Sequence, residues 1–242
     1  MKAVAFSVLL FLLIAGAGEA AQNTELLDPD QRIEAWKTAL RGIDAQLRKA
    51  EFAPARQSAI ELAQDMVRQM GAGGRSAYTL AVACAFRAIA ESGLGKDDDA
   101  LWYWRTAAAI FPGVEKTDLR PYGASAARLK ETPFRAQFGG PDVPNPGVKG
   151  DVQRPVLKKR VEPNYPENML EMGVSTKYVF EMIIDQQGRT REPKVLTPVK
   201  EPSFVYVVLD SLKDWEFEPA TFNGKPVTVL YTLTVDFKVR RR

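Results

Sequence analysis

Three consecutive carboxylates, Asp97, Asp98 and Asp99, are the densest chemistry-bearing run in the sequence. In the right company such a run could hold a cation. No histidine occurs anywhere, and Cys84 is the only cysteine. A histidine base, a Ser-His-Asp triad, a Cys-His pair and histidine metal ligands are therefore all excluded. No internal disulfide can form, and an alanine-rich setting marks Cys84 as an inert buried thiol. No other ligand cluster accompanies the aspartates, so they read as a favourable start for a helix. The sequence predicts no catalytic residue, no cofactor site, no metal site and no enzyme. The remaining chemistry is that of the main chain. From Pro226 to Val239 the residues Val227, Val229, Tyr231, Leu233, Val235, Phe237 and Val239 alternate with polar ones, broken only by Leu230. Such a strand can recruit another through its unpaired N–H and C=O groups.

The elements that must position this strand follow from periodicity. The chain has 242 residues, 45% hydrophobic and 26% charged, as in an ordinary globular protein. Its net charge of +3 gives no electrostatic support for nucleic-acid binding. Arg240 to Arg242 read as a solvated end. Lys2, the apolar run Ala3 to Ala15 and the small residues Gly18 and Ala20 read as a signal peptide over 1–20, and so as export to the periplasm. The alternative is an inner-membrane anchor over residues 3–21. Residues 21–132 read as all-helical. Asp28 caps a helix with Pro29 in its first turn and Gln31 three residues on. Ile33, Trp36, Leu40, Ile43 and Leu47 form its stripe. Further helices are predicted from Ala53 to Met70, Ser76 to Ser92 and Asp97 to about Phe111. Residues 133–155, rich in proline and glycine, read as an exposed linker.

In residues 156–242 a short helix starts at Pro166 and ends at Gly173. A strand carries Tyr178, Phe180, Met182 and Ile184 inward, and Asp185 to Gly188 turns the chain. A second strand runs to about Leu196. A helix between Glu201 and Asp214 turns Phe204, Val208, Leu212 and Trp215 inward. Asn223-Gly224 then makes a tight turn into the final strand.

Two resemblances rest on these residues. Ala88, Ala100, Trp104, Ala107 and Pro112 resemble the spacing of a degenerate tetratricopeptide (TPR) repeat, although the usual tryptophan and tyrosine of its first helix are absent. That implies TPR-like helical hairpins serving as a protein-binding scaffold; a plain helical bundle is the alternative. Tyr165-Pro166, Gly173-Val174, Ile184 to Gly188, Trp215 to Ala220 and Asn223 to Val227 together resemble the carboxy-terminal domain of TonB, the energy transducer of the Gram-negative envelope. The resemblance covers roughly the last 85 residues. It implies an α+β fold, with a three-stranded antiparallel sheet and two helices following the helical hairpins.

The TonB resemblance also implies a protein partner, with a peptide of an outer-membrane transporter as the candidate. The partner would add a strand to the last strand through Val227, Thr228, Val229, Leu230, Tyr231, Thr232, Leu233 and Thr234, with Glu162 nearby. Thr228, Thr232 and Thr234 are expected on the outward face. The same edge could instead pair with a second copy as a homodimer, or lie under the chain's own linker. The chain departs from the family in its cleavable leader, its missing histidine and its short linker, and it inserts a helical domain. Contact with the inner-membrane motor complex is therefore expected only if the amino-terminal segment is retained. The second functional expectation is an assembly scaffold that holds its partner through the helical half, with no energy transduction.

Overall fold

The computed structural model describes residues 28–71, 76–131 and 151–239. Residues 1–20, read from the sequence as a signal peptide, and most of 133–155, read as a linker, lie outside these residues. Helices come first: α1 (Pro29–Arg48), α2 (Phe52–Gln69), α3 (Ala77–Gly93), α4 (Asp97–Ile110) and α5 (Ala124–Glu131). Short 3-10 turns at Pro112–Lys116 and Arg120–Tyr122 join α4 to α5. The carboxy-terminal half holds β1 (Val152–Gln153), β2 (Val156–Lys159), α6 (Glu167–Glu171), β3 (Thr176–Ile184) and β4 (Thr190–Val195). It continues with α7 (Pro202–Leu212), β5 (Glu216–Glu218), β6 (Ala220–Phe222), β7 (Lys225–Val227) and β8 (Val229–Phe237). The chain is α+β: an all-helical half followed by a three-stranded antiparallel sheet with two helices. No described helix is long and apolar enough to cross a membrane.

The helices form where local signals predict them. Asp28 accepts from the backbone N–H groups of Asp30 and Gln31, and Gln31 completes the capping box. The stripe Trp36, Leu40, Ile43 and Leu47 is buried. Trp36 donates its indole N–H to buried Asp65 at 2.9 Å, which ties α1 to α2. α3 is buried nearly all round, with Cys84 at its centre. Burial pushes that thiol up to about 12, as expected of an inert cysteine. α5 and the 3-10 turns were not foreseen. They bury Val114, Leu119, Tyr122, Ala126 and Leu129 without any apolar period long enough to be recognised in the sequence.

The main sheet has the order β4-β3-β8, all antiparallel. Tyr178, Phe180, Met182 and Ile184 of β3 pack inward, under α7. The Tyr178 hydroxyl accepts from Glu201 N at 2.9 Å and so fixes the start of α7. Two findings correct the expected layout. First, Asp151 to Gln153, at the end of the stretch read as linker, joins the folded domain. β1 pairs with β6, and β2 pairs with β5. Second, Pro226 to Val239 is not one strand. β7 pairs with β6, whereas β8 pairs with β3, and the chain changes partner at Thr228. Asn223 and Gly224 carry φ of 50° and 77°, the two positive values of a type I′ turn between β6 and β7.

Candidate functional site: the two edges of the main sheet

A three-stranded sheet has two outer edges, and here they differ in kind. On one side, β8 runs nine residues beside β3, from Val229 opposite Ile184 to Phe237 opposite Thr176. That is about 30 Å of strand. β8 has no proline and an unbroken register, and among the described residues no strand pairs with its outer side. Thr232, Thr234 and Asp236 are exposed, whereas Tyr231, Leu233 and Val235 are half-buried against the core. Leu230 is 44% exposed, a large apolar side chain left at the surface. Edges of this length and regularity are the ones that accept an added strand.

On the other side, β4 carries several devices that block addition. Glu181 pairs with Lys194 and Ile183 with Arg191, so two residues of β4, Glu192 and Pro193, stand against Met182 alone. That is a β-bulge. Pro193 has no N–H to offer. Glu192 has φ of 45°, a left-handed conformation that is strained for a residue with a side chain. α4 of the helical half packs against this strand.

The predicted binding residues divide accordingly. Val229, Leu230, Tyr231, Thr232, Leu233 and Thr234 lie together on β8. Val227 belongs to β7 and is buried. Thr228 was expected to face outward but is 4% exposed. At the change of partner the backbone leaves one pairing and enters another. Three consecutive residues, Val227 to Val229, are buried there, and the outward face starts only at Leu230. Glu162 is exposed and paired with Arg160 at 2.9 Å. Its neighbour Tyr165 is the residue that reaches the end of β8. The Tyr165 ring meets Phe237 at 5.3 Å and Phe204 at 5.2 Å, and its hydroxyl donates to Val174 O. Trp215 donates to Val161 O at 2.8 Å, which holds the same segment from below.

The sequence reading missed a second constellation, where the two halves meet. Asp98 bonds Arg191 at 2.6 Å and lies 3.6 Å from Arg189. Asp99 bonds Lys213 at 2.8 Å. Arg105 approaches Glu192 at 3.9 Å. In the opposite sense Asp210 of α7 accepts from the Tyr103 hydroxyl at 2.9 Å and from Arg87 at 3.4 Å. Trp102 donates to Leu209 O at 3.1 Å. The Arg87 guanidinium lies 3.5 Å from the Tyr103 ring centre. Burial works against ionisation of Asp98, but the hydrogen bond from Arg191 and the charges of Arg191, Arg189 and Lys213 outweigh it. The carboxyl is held below the ordinary carboxylate range. The acidic run thus serves as one side of an intramolecular interface. The available signal was the aromatic run Trp102, Tyr103 and Trp104, which covers more of α4 than one buried face requires.

Comparison with known proteins finds a family match in the carboxy-terminal part of the chain. Residues 161–239 match the model of the Gram-negative bacterial TonB protein C-terminal family. Protein TonB of Vibrio cholerae is 24% identical over 106 residues, which span 41% of this chain and 43% of that protein. The chain therefore covers less than half the length of this relative. Among solved structures, the carboxy-terminal domain of Pseudomonas aeruginosa TonB aligns over 40% of this chain and 93% of its own length, with 23% identity and a TM-score of 0.32. Residues 161–239 are a TonB C-terminal family domain.

Proposed function

We propose that the protein works in the Gram-negative cell envelope as a TonB-family binding protein, not an enzyme, and takes an extended peptide as an added strand on β8. An outer-membrane transporter is the proposed source of that peptide, and the periplasm is the proposed compartment. The supporting observation is the contrast between the two edges: β8 is long, regular and bare, while β4 is bulged, interrupted by proline and overlain by a helix. The main-chain groups of Leu230 to Thr234 would supply affinity, and the exposed side chains of Leu230, Thr232 and Thr234 would supply selectivity.

Proline substitution tests this directly. Successive N–H groups of an antiparallel strand point to opposite edges. Of Thr232→Pro and Leu233→Pro, one therefore removes an N–H from the β3 ladder and the other an N–H from the outer edge. The outer-edge variant should keep its fold and lose at least about tenfold in affinity for peptides from the periplasm-facing segments of outer-membrane transporters. A folded outer-edge variant that binds such peptides like the unmodified chain would sink the proposal.

A second reading places the main partner on the helical half. It is favoured by Tyr78, 56% exposed, stacked edge-to-face at 5.4 Å on Phe111, which is 38% exposed. Deleting Asp151 to Arg242 separates the two: capture that survives intact assigns the partner to the helices.

A further inference from the structure

We propose that the helical half is a charge-keyed cover, held in cis over the β4 side of the TonB-like sheet, which leaves the chain able to extend that sheet only at β8. The limit to one added strand rests on the strand-addition reading; the cover does not.

The cover uses a complete face of α4. Asp98, Leu101, Trp102 and Arg105 recur at helical spacing, and all four line one cleft with Arg191 and Glu192 of β4. A neighbouring stretch of α3 and α4 supplies Arg87, Trp102 and Tyr103 to the outer side of α7. α7 is consequently buried on both sides. Phe204, Val208 and Leu212 face the sheet, while Tyr206 and Leu209 are no more than 3% exposed on the other side. These faces are therefore already occupied by the chain's own sheet domain and are not available to a foreign partner.

The charges specify how the halves meet. The helical half offers acids at Asp98 and Asp99 and cations at Arg87 and Arg105. The sheet half answers with Arg191, Arg189 and Lys213, and with Asp210 and Glu192. Both signs occur on both sides, so sliding or inverting α4 would bring like charges together. Arg191 is only 9% exposed and also bonds Asp185 at 3.2 Å, so its guanidinium is held rigidly towards Asp98. The bulge turns Glu192 to Arg105 in spite of its left-handed backbone. Local strain of that sort persists where its surroundings over-determine it.

The test uses the full chain carrying a protease site between residues 140 and 147, cut after folding. The two pieces should stay together at micromolar concentration, and the amides of Thr190 to Val195, Pro193 apart, should exchange slowly both before and after cutting. Asp98→Ala with Asp99→Lys should weaken association of the pieces at least about tenfold, and adding Lys213→Asp should recover a large part of it. Pieces that separate without any substitution overturn the proposal. So do pieces whose association is the same with and without Lys213→Asp in the Asp99→Lys background. No peptide is present in this experiment, so its failure leaves the β8 reading standing, and failure of peptide binding leaves this one standing.

Discussion

Gly188 and Gly224 are both at φ of +77°, yet they answer to different constraints. A Cβ on Gly188 would stand 1.8 Å from Phe217 O, whereas a Cβ on Gly224 meets nothing within 4 Å. Gly188 O also accepts from Phe217 N at 2.9 Å, so the backbone there cannot withdraw. Gly224→Ala should cost about 1 kcal/mol, the conformational penalty alone. Gly188→Ala should cost at least about 3 kcal/mol, because overpacking is added to it. Paired urea unfolding curves check the difference. At the same scale, Asp98 gives the interface a pH dependence. Its folded pKa is lowered, so its stabilisation is present above the unfolded value of about 3.9 and is lost as pH falls through the folded one. Asp98→Asn should be less stable than the original at pH 6, with the gap closing towards pH 2–3. A gap that stays constant across this range would show that charge plays no part. The glycine positions and the Asp28 cap were legible from residue type. The role of Asp98 was not, because its partners lie more than ninety positions away.

Among the elements, α7 shows how a correct helix can be read with the wrong surroundings. Its inward residues Phe204, Val208 and Leu212 are buried as their spacing implies, but so are Val205, Tyr206 and Leu209. One apolar face was expected because a small sheet offers one surface; the second surface is the helical half. Phe204 contacts both Tyr165 and Phe237, and Phe204→Ala should destabilise the fold by about 3–5 kcal/mol. Thr232→Ala, on the outer strand, should stay within about 0.5 kcal/mol of the original, with urea unfolding curves measuring both variants. Such a result would leave Thr232 free to serve binding. β8 itself was legible as an alternating strand from Val229 on. Its break at Thr228 was not, since strand periodicity continues through a change of partner.

For the whole molecule, the reactivity of Cys84 tests whether opening of the interface between the two halves exposes α3. Cys84 is buried in α3 beside Arg87, whose guanidinium reaches Asp210 across the interface, and burial raises its thiol to about 12. At pH 8 a thiol reagent should therefore leave the native chain unmodified for hours and react within minutes in denaturant. Asp99→Lys should speed the native reaction if opening of the interface is the route to the thiol. A reaction equally slow in both would mean that Cys84 is exposed only by unfolding of α3.

By itself the sequence determined what is local: the capped helices, the turns at Gly188 and Asn223-Gly224, the inward face of β3, and the motif set of a TonB C-terminal domain. Each depends on residues within a few positions of one another, where backbone preference and side-chain period act directly. The tertiary structure alone decided that β1 and β2 close onto β5 and β6, that β8 begins after Thr228, and that α4 lies over β4 while β8 stays bare. Those outcomes turn on which distant surfaces meet. The same alternating strand or acidic helix start is compatible with several partners until packing and charge select one.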